Sequence, residues 1–181
     1  IYMHHTESNL IEINNKIKSK INSLSLNQYN PKVIAVSKTF KEQDILPLLD
    51  CGHLDFGENK VQEALLKWPN LKEKYKNVKL HMLGKLQTNK VKFAVDIFDY
   101  IHSLDNLKLA NKLASEIHKK NKNELRSYFL YCKEVGLNII GLICIKPINH
   151  DPVPFFKELK DLNDSFNLSD LSMGMSSDYM E

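Results

Sequence analysis

A single arginine, Arg126, stands among the 181 residues of this chain. Bidentate guanidinium clamps on carboxylates or phosphates therefore cannot be widespread in it. Cysteine is also sparse: Cys51, Cys132 and Cys144 are odd in number and sit in apolar or helical contexts. That pattern excludes a disulfide framework and points to reduced, buried thiols in an intracellular, cytoplasmic protein. No apolar run approaches about 18 residues, and no basic-apolar leader opens the chain, so neither membrane insertion nor secretion is expected. A net charge of +3 is mild and the lysines are scattered, which gives no basic patch for nucleic acid.

What is present is enough apolar sequence, 43%, for one globular domain over residues 1–181 with a sizeable core. The stretch that organises it is Val33-Ile34-Ala35-Val36-Ser37-Lys38-Thr39. Four apolar residues, three of them β-branched, read as a fully buried parallel strand, and Lys38 arrives where the run stops. A lysine presented at a sheet rim and partly desolvated is pushed toward the neutral, nucleophilic amine. A solvated strand-end lysine is the plain alternative.

Upstream, Leu10, Ile13, Ile17, Ile21 and Leu24 repeat at three and four behind Thr6 as a cap, which predicts an amphipathic helix. His4 and His5 read as a loose tail rather than a metal site. Downstream, Ile45, Leu48 and Leu49 form a helical face closed by Gly52, with Pro47 expected to kink or break it. Strand and helix then alternate. Leu54 to Phe56 runs through Gly57, Glu58 and Asn59 into a helix with Val61, Ala64 and Leu65. Val78 to Met82 runs through Leu83 and Gly84 into one with Val91, Ala94 and Val95. Ile97 to His102 runs past Asp105, the expected cap, into Leu109, Leu113 and Ile117.

At this point the alternation fails. Only Asn121-Lys122-Asn123 separates that helix from the stripe Leu125, Phe129, Cys132 and Val135, and it is too short and polar for a strand. Strand, helix and strand resume at Ile139 to Ile145, Phe155 to Leu162 and Leu171 to Met175. Repeated strand-helix units predict an α/β fold with a parallel sheet. Six strands are visible, one is absent near Lys120 to Glu124, and another would follow Glu181. The predicted architecture is thus a (β/α)8 TIM barrel with an additional N-terminal helix, lacking strand 5 and strand 8 as the sequence stands, with residues expected to be missing at both places. An incomplete or swapped α/β sheet is the alternative. Active sites of such barrels lie at the C-terminal strand ends, where Lys38, Asn59, Gly84, Ser176 and Ser177 all fall. Together they suggest a small anionic ligand with a phosphate at the start of a helix near Ser176.

The same segments carry a family likeness. Ala35 to Thr39, Phe56 to Asn59 with Val61-Gln62-Glu63, His81 to Gly84 with Leu86-Gln87 and Asn89-Lys90, Gly141-Leu142, and Leu171 to Ser176 resemble the YggS/PROSC family. These are pyridoxal 5′-phosphate (PLP) homeostasis proteins, related to the N-terminal barrel of alanine racemase. The resemblance spans residues 33 to 181 with its motifs in order. It implies that Lys38 holds PLP as a Schiff base, that Asn59 lines the pocket, and that Met175 and Ser176 help hold the phosphate. Lys85 departs from the pattern at a loop position. The fifth strand with its polar loop, and the last strand with an arginine and a Gly-Thr pair, have no counterpart.

Three function classes follow. The first is a monomeric PLP-binding protein for homeostasis or delivery to PLP-dependent apoenzymes, without dedicated catalysis. The second is a fold-type III PLP enzyme such as an amino-acid racemase, which needs acid and base groups on both cofactor faces. Related racemases draw one of those groups from a second domain, which is not expected here. The third is a phosphate-binding barrel without PLP.

Overall fold

A computed structural model describes residues 4–26, 28–117, 130, 132–146 and 150–174. Its first helix, α1 (His5–Ser23), carries Leu10, Ile13, Ile17 and Ile21 as a half-buried stripe, as their spacing predicts. Its cap is His4, not Thr6, and the His4 ring accepts from the Thr6 N–H at 3.4 Å. The two histidines therefore start the helix and are not a loose tail.

Contacts divide the chain into two compact units, Ile1–Leu104 and Asp105–Glu181. In the first, β1 (Ala35–Val36) is shorter and more open than its apolar run predicts, and Val36 is 44% exposed. The expectation of a fully buried strand is corrected here. β1 is the edge of a four-stranded sheet of order β1-β2-β3-β4, so among the described residues only one of its sides is paired. The helix α2 (Glu42–Asp50) runs through Pro47 unbroken. Gly52 ends it in the left-handed region, with its N–H on Leu49 O and the His53 N–H on Leu48 O.

Next come β2 (Asp55–Glu58), α3 (Val61–Lys74), β3 (Lys79–Met82), a short 3-10 turn (Thr88–Lys90), α4 (Val91–Ile97) and β4 (Tyr100–Ile101). The last strand is shorter than the predicted Ile97 to His102, because Ile97 is buried as the end of α4. All pairs are parallel. Phe56 lies opposite both Ala35 and Leu80, and His81 opposite both Gly57 and Tyr100. Side chains alternate across a strand, so Phe56, Glu58, Leu80 and Met82 share one face and Asp55, Gly57 and His81 the other. The first face meets α3: the Phe56 ring lies 5.1 Å from that of Trp68, and Phe56, Ala64, Trp68, Leu80 and Val91 are fully buried. Each large side chain in this cluster contributes roughly 1.5–3 kcal/mol of burial. At the opening ends of the strands, Asp99 accepts from Lys72 Nζ (2.6 Å) and from the Leu80 N–H (2.8 Å), fastening the end of α3 to β3.

The second unit begins with α5 (Leu107–Ile117). Its cap is Asn106 rather than the expected Asp105: Asn106 Oδ1 accepts from the Leu109 N–H at 2.9 Å. A parallel pair, β5 (Gly141–Ile143) and β6 (Asp170–Ser172), flanks α6 (Pro152–Ser165) in sequence. No closed barrel is formed among the described residues; the sheets have four and two strands. The gap expected near Lys120 to Glu124, the Leu125 and Phe129 positions, and the helix expected after Ser176 lie outside the described residues. Cys132 is buried as expected and Cys144 partly so, but Cys51 is exposed at the end of α2.

Asn163 holds this second unit together. It is 2% exposed; its Oδ1 accepts from the Leu142 N–H (3.1 Å) and its Nδ2 donates to Leu168 O (2.9 Å). Replacing it by leucine keeps the volume and orphans two backbone groups, a loss of about 1–3 kcal/mol for each unsatisfied partner. Asn163→Leu is expected to lower the thermal midpoint measured by circular dichroism. An unchanged midpoint would show that the bridge contributes nothing.

Candidate functional site

The backbone pairing continues past the strands on one side of the first unit. The Ser37 N–H donates to Gly57 O, the Leu83 N–H to Glu58 O and the His102 N–H to Met82 O, each at 2.9 Å. This brings the carboxyl ends of β1, β2, β3 and β4 into one row, and Lys38, Asn59 and Gly84 follow the first three. Gly84 is required there, because a Cβ at that position would lie 2.2 Å from Asn59 O. The loop after β3 thus rests directly on the Asn59 backbone.

Lys38 does not end a buried strand. It is exposed and occupies a turn formed by residues 37–40, closed by the Phe40 N–H on Ser37 O at 3.2 Å. Thr39 sits at φ 67°, a left-handed conformation that β-branched residues rarely adopt. Two side chains from α3 hold this turn. Lys67, 8% exposed, donates from Nζ to Ser37 O (2.8 Å), Phe40 O (3.1 Å) and Glu63 Oε1 (2.9 Å). Glu63 Oε1 also accepts the Thr39 N–H. Burial pushes the Glu63 carboxyl up, but the hydrogen bonds from Lys67 and Thr39 and the charges of Lys67 and Lys60 outweigh it and hold it below the usual carboxylate value.

Beneath the turn lies Glu58, a carboxylate with 0% exposure. Its Oε1 accepts from Ser37 Oγ (2.8 Å) and Trp68 Nε1 (3.0 Å) and lies 2.7 Å from Lys67 Nζ. Its Oε2 is buried and has no hydrogen-bond partner among the described residues. A carboxylate so placed is tolerable only with its charge compensated, and Lys67 supplies the compensation.

On the other face of the sheet a second polar group runs across three strands. His81 Nε2 lies 3.1 Å from Asp55 Oδ1, His81 Nδ1 lies 2.9 Å from His102 Nε2, and Tyr100 stacks on the His81 ring at 4.6 Å. Burial, with His81 beside it, brings His102 down to about 4. Burial lowers His81 as well, against the pull of Asp55.

Of the residues singled out in the sequence, the structure places Lys38 and the half-buried Asn59 at neighbouring strand ends, joined through Ser37 and Glu58. Met175 and Ser176 lie outside the described residues. A cavity of about 290 Å³ is lined by α1 residues such as Ile17 and Ile21 with Tyr29 and Pro31, and not by these strand ends. The sequence reading missed Lys67 and the pairing of Glu58 with it. The signal available was the Glu63/Lys67 spacing of four, which places both on one face of α3. Asp55, His81 and His102 were also missed; equal parity on consecutive strands would have grouped them.

No family model matches the chain. A pyridoxal phosphate homeostasis protein of Aquifex aeolicus is 32% identical over 179 residues, covering 82% of this chain and 78% of that protein. Another, from Synechocystis, is 35% identical over 181 residues and covers 83% of each. The chain belongs to the pyridoxal phosphate homeostasis protein family. Among solved structures, the PLP-bound PipY of Synechococcus elongatus is 30% identical with a TM-score of 0.69, covering 89% of this chain and 90% of that one. A protein of Bifidobacterium adolescentis, at 20% identity and a TM-score of 0.77, shares the fold. The residues of this family member that gather at the carboxyl strand ends are those of the clamped turn and of Asn59 with Gly84.

The histidine group sets an acid limit on stability. Folded-state values below the ordinary 6.5 mean that the unfolded chain binds more protons, so stability is complete above about 6.5 and is lost as pH falls toward 4. His53, also lowered mainly by burial, acts in the same direction. The carboxylates of Glu63 and Asp99, lowered in the fold, lose their contribution mainly below pH 5 and act in the same direction as the histidines. The urea midpoint followed by fluorescence of Trp68, the only tryptophan, is expected to be lower at pH 5, and less so in His102→Gln. Equal midpoints at both pH values would contradict this.

Proposed function

We propose that this chain binds PLP covalently and reversibly through the Lys38 amine and serves in PLP homeostasis or delivery to apoenzymes, without dedicated amino-acid turnover. The observation that carries the proposal is family membership over most of the chain, together with an exposed lysine on a fixed turn at the strand ends. Among the described residues Lys38 has no side-chain hydrogen bond or ion pair, whereas Lys67, on α3 against the same turn, is committed to oxygens on all three of its N–H groups. Of the two, only Lys38 has an amine free to react. PLP, when bound, supplies an aldehyde for amines and an electron sink. The residues we assign to it are Lys38 for the covalent bond and Asn59 at the neighbouring strand end, with Met175 and Ser176, outside the described residues, assigned to the phosphate by likeness to the family.

The architecture we propose is the (β/α)8 barrel, one domain over residues 1–181, with β1 to β4 as its first half. Strand order that follows the sequence without reversal supports it. The family alignments bear on the expected fifth strand. The match to the Aquifex protein runs over 179 positions, yet 82% of 181 residues is about 148, so about 30 positions in total have no counterpart here, enough to accommodate a strand-helix unit. The Synechocystis match has the same excess. A racemase would need a second proton-transferring group on the opposite cofactor face, worth roughly 10²–10⁴-fold in rate. We propose a monomer working in the cytoplasm.

Incubation with PLP, borohydride reduction and peptide mapping are expected to leave the cofactor on Lys38 and to leave Lys38→Ala unlabelled. Label confined to other lysines would overturn the proposal. Ser176→Ala should weaken PLP binding by about 1 kcal/mol, one neutral hydrogen bond, and Ser176→Asp by more because it sets a negative charge against the phosphate. Parental affinity in both would place the phosphate elsewhere.

A further inference from the structure

We infer that Lys67 and Glu63 are positioning residues for Lys38, holding the turn that carries it in a conformation the turn would not keep by itself. This rests on the reading of Lys38 as the PLP-binding lysine. Three observations converge on it. Thr39, next to Lys38, lies at φ 67°, a placement that strains a β-branched residue and persists only where the surroundings impose it. The surroundings that impose it are two side chains of α3: Glu63 takes the Thr39 N–H, and Lys67 takes the carbonyls of Ser37 and Phe40 on either side of the Lys38-Thr39 pair. The anchor beneath, Glu58, is fully buried, accepts from Ser37 Oγ, and depends on Lys67 for its counter-charge.

The effect is to fix the Lys38 backbone while leaving its side chain in solvent. An ammonium is suited to the task, because it can satisfy two carbonyls and a carboxylate at once with its three N–H groups. Its charge is balanced locally by Glu58 and Glu63.

The test compares the full parent chain with Glu63→Ala and Lys67→Met. Removing Lys67 strands the Glu58 charge and endangers folding; Glu63 is partly exposed, so its variant keeps the test available, with Trp68 fluorescence reporting the fold. Without PLP, amide exchange over residues 37–41 is expected to quicken about tenfold in the variants, the loss of one charge-assisted hydrogen bond, while β3 and α4 keep parental protection. With PLP, affinity should fall by a similar factor and the borohydride-trapped label should spread to other lysines. Parental exchange over 37–41 in Glu63→Ala would overturn the clamp. Faster exchange with parental affinity and labelling would overturn its positioning role. A parent chain that takes no label on Lys38 would end the PLP reading, and this role with it, even where the exchange result holds.

Discussion

The charge of Glu58 is the constraint around which the first unit is arranged. A carboxylate with no solvent access carries a desolvation cost of several kcal/mol, and it persists only because Lys67, Ser37 and Trp68 converge on one of its oxygens. These partners come from two segments besides that of Glu58 itself. Ser37 follows β1, while Lys67 and Trp68 stand on successive positions of α3. Glu58 ends β2 itself. The ion pair therefore ties edge strand, second strand and covering helix at one point, which an apolar contact of the same size would do without the same dependence on geometry. That point lies directly under the Lys38 turn.

The two ends of the sheet are built differently. At the opening ends, Asp99 collects Lys72 and a backbone N–H of β3, a half-exposed arrangement that ties elements together. At the carboxyl ends, the polar groups are buried and hold loops. Lys67 grips a turn, and Gly84 admits the Asn59 backbone to a distance no other residue would allow. Burying polar groups where loops begin gives those loops fixed shapes. It also makes that end of the sheet the one at which a small ligand would meet a preformed surface.

Much of this was legible in the sequence. The period-two and period-three-to-four patterns located most described strands and helices to within a few residues, because many of their apolar positions, such as Phe56, Val61, Ala64, Leu80 and Val91, do become the core. They erred where a local pattern had two interpretations. Ile97 suits a strand or the last turn of α4, and packing decided for the helix. Asp105 and Asn106 can each cap α5, and only one oxygen reaches the Leu109 N–H. The apolar run at Val33 looked like a central strand, but sequence carries no count of neighbours, and β1 turned out to be an edge. The clamp was hidden for a different reason. Lys67 and Glu63 read as an ordinary surface pair at a spacing of four, and nothing in that spacing says that Glu58 lies buried against one of them.

Two lysines thus stand close to the same turn with opposite properties, and physical chemistry separates their roles. Burial would ordinarily favour a neutral, nucleophilic amine, which made a buried lysine the natural candidate for covalent chemistry. Here the buried amine is the one already engaged, since two carboxylates and two carbonyls surround its nitrogen. The exposed amine has no such partners among the described residues and keeps access to solvent and solutes. On the PLP reading proposed above, a rigid backbone beneath an accessible side chain suits reversible loading. The bond can form at one fixed place, and the cofactor can leave again without any buried element having to open.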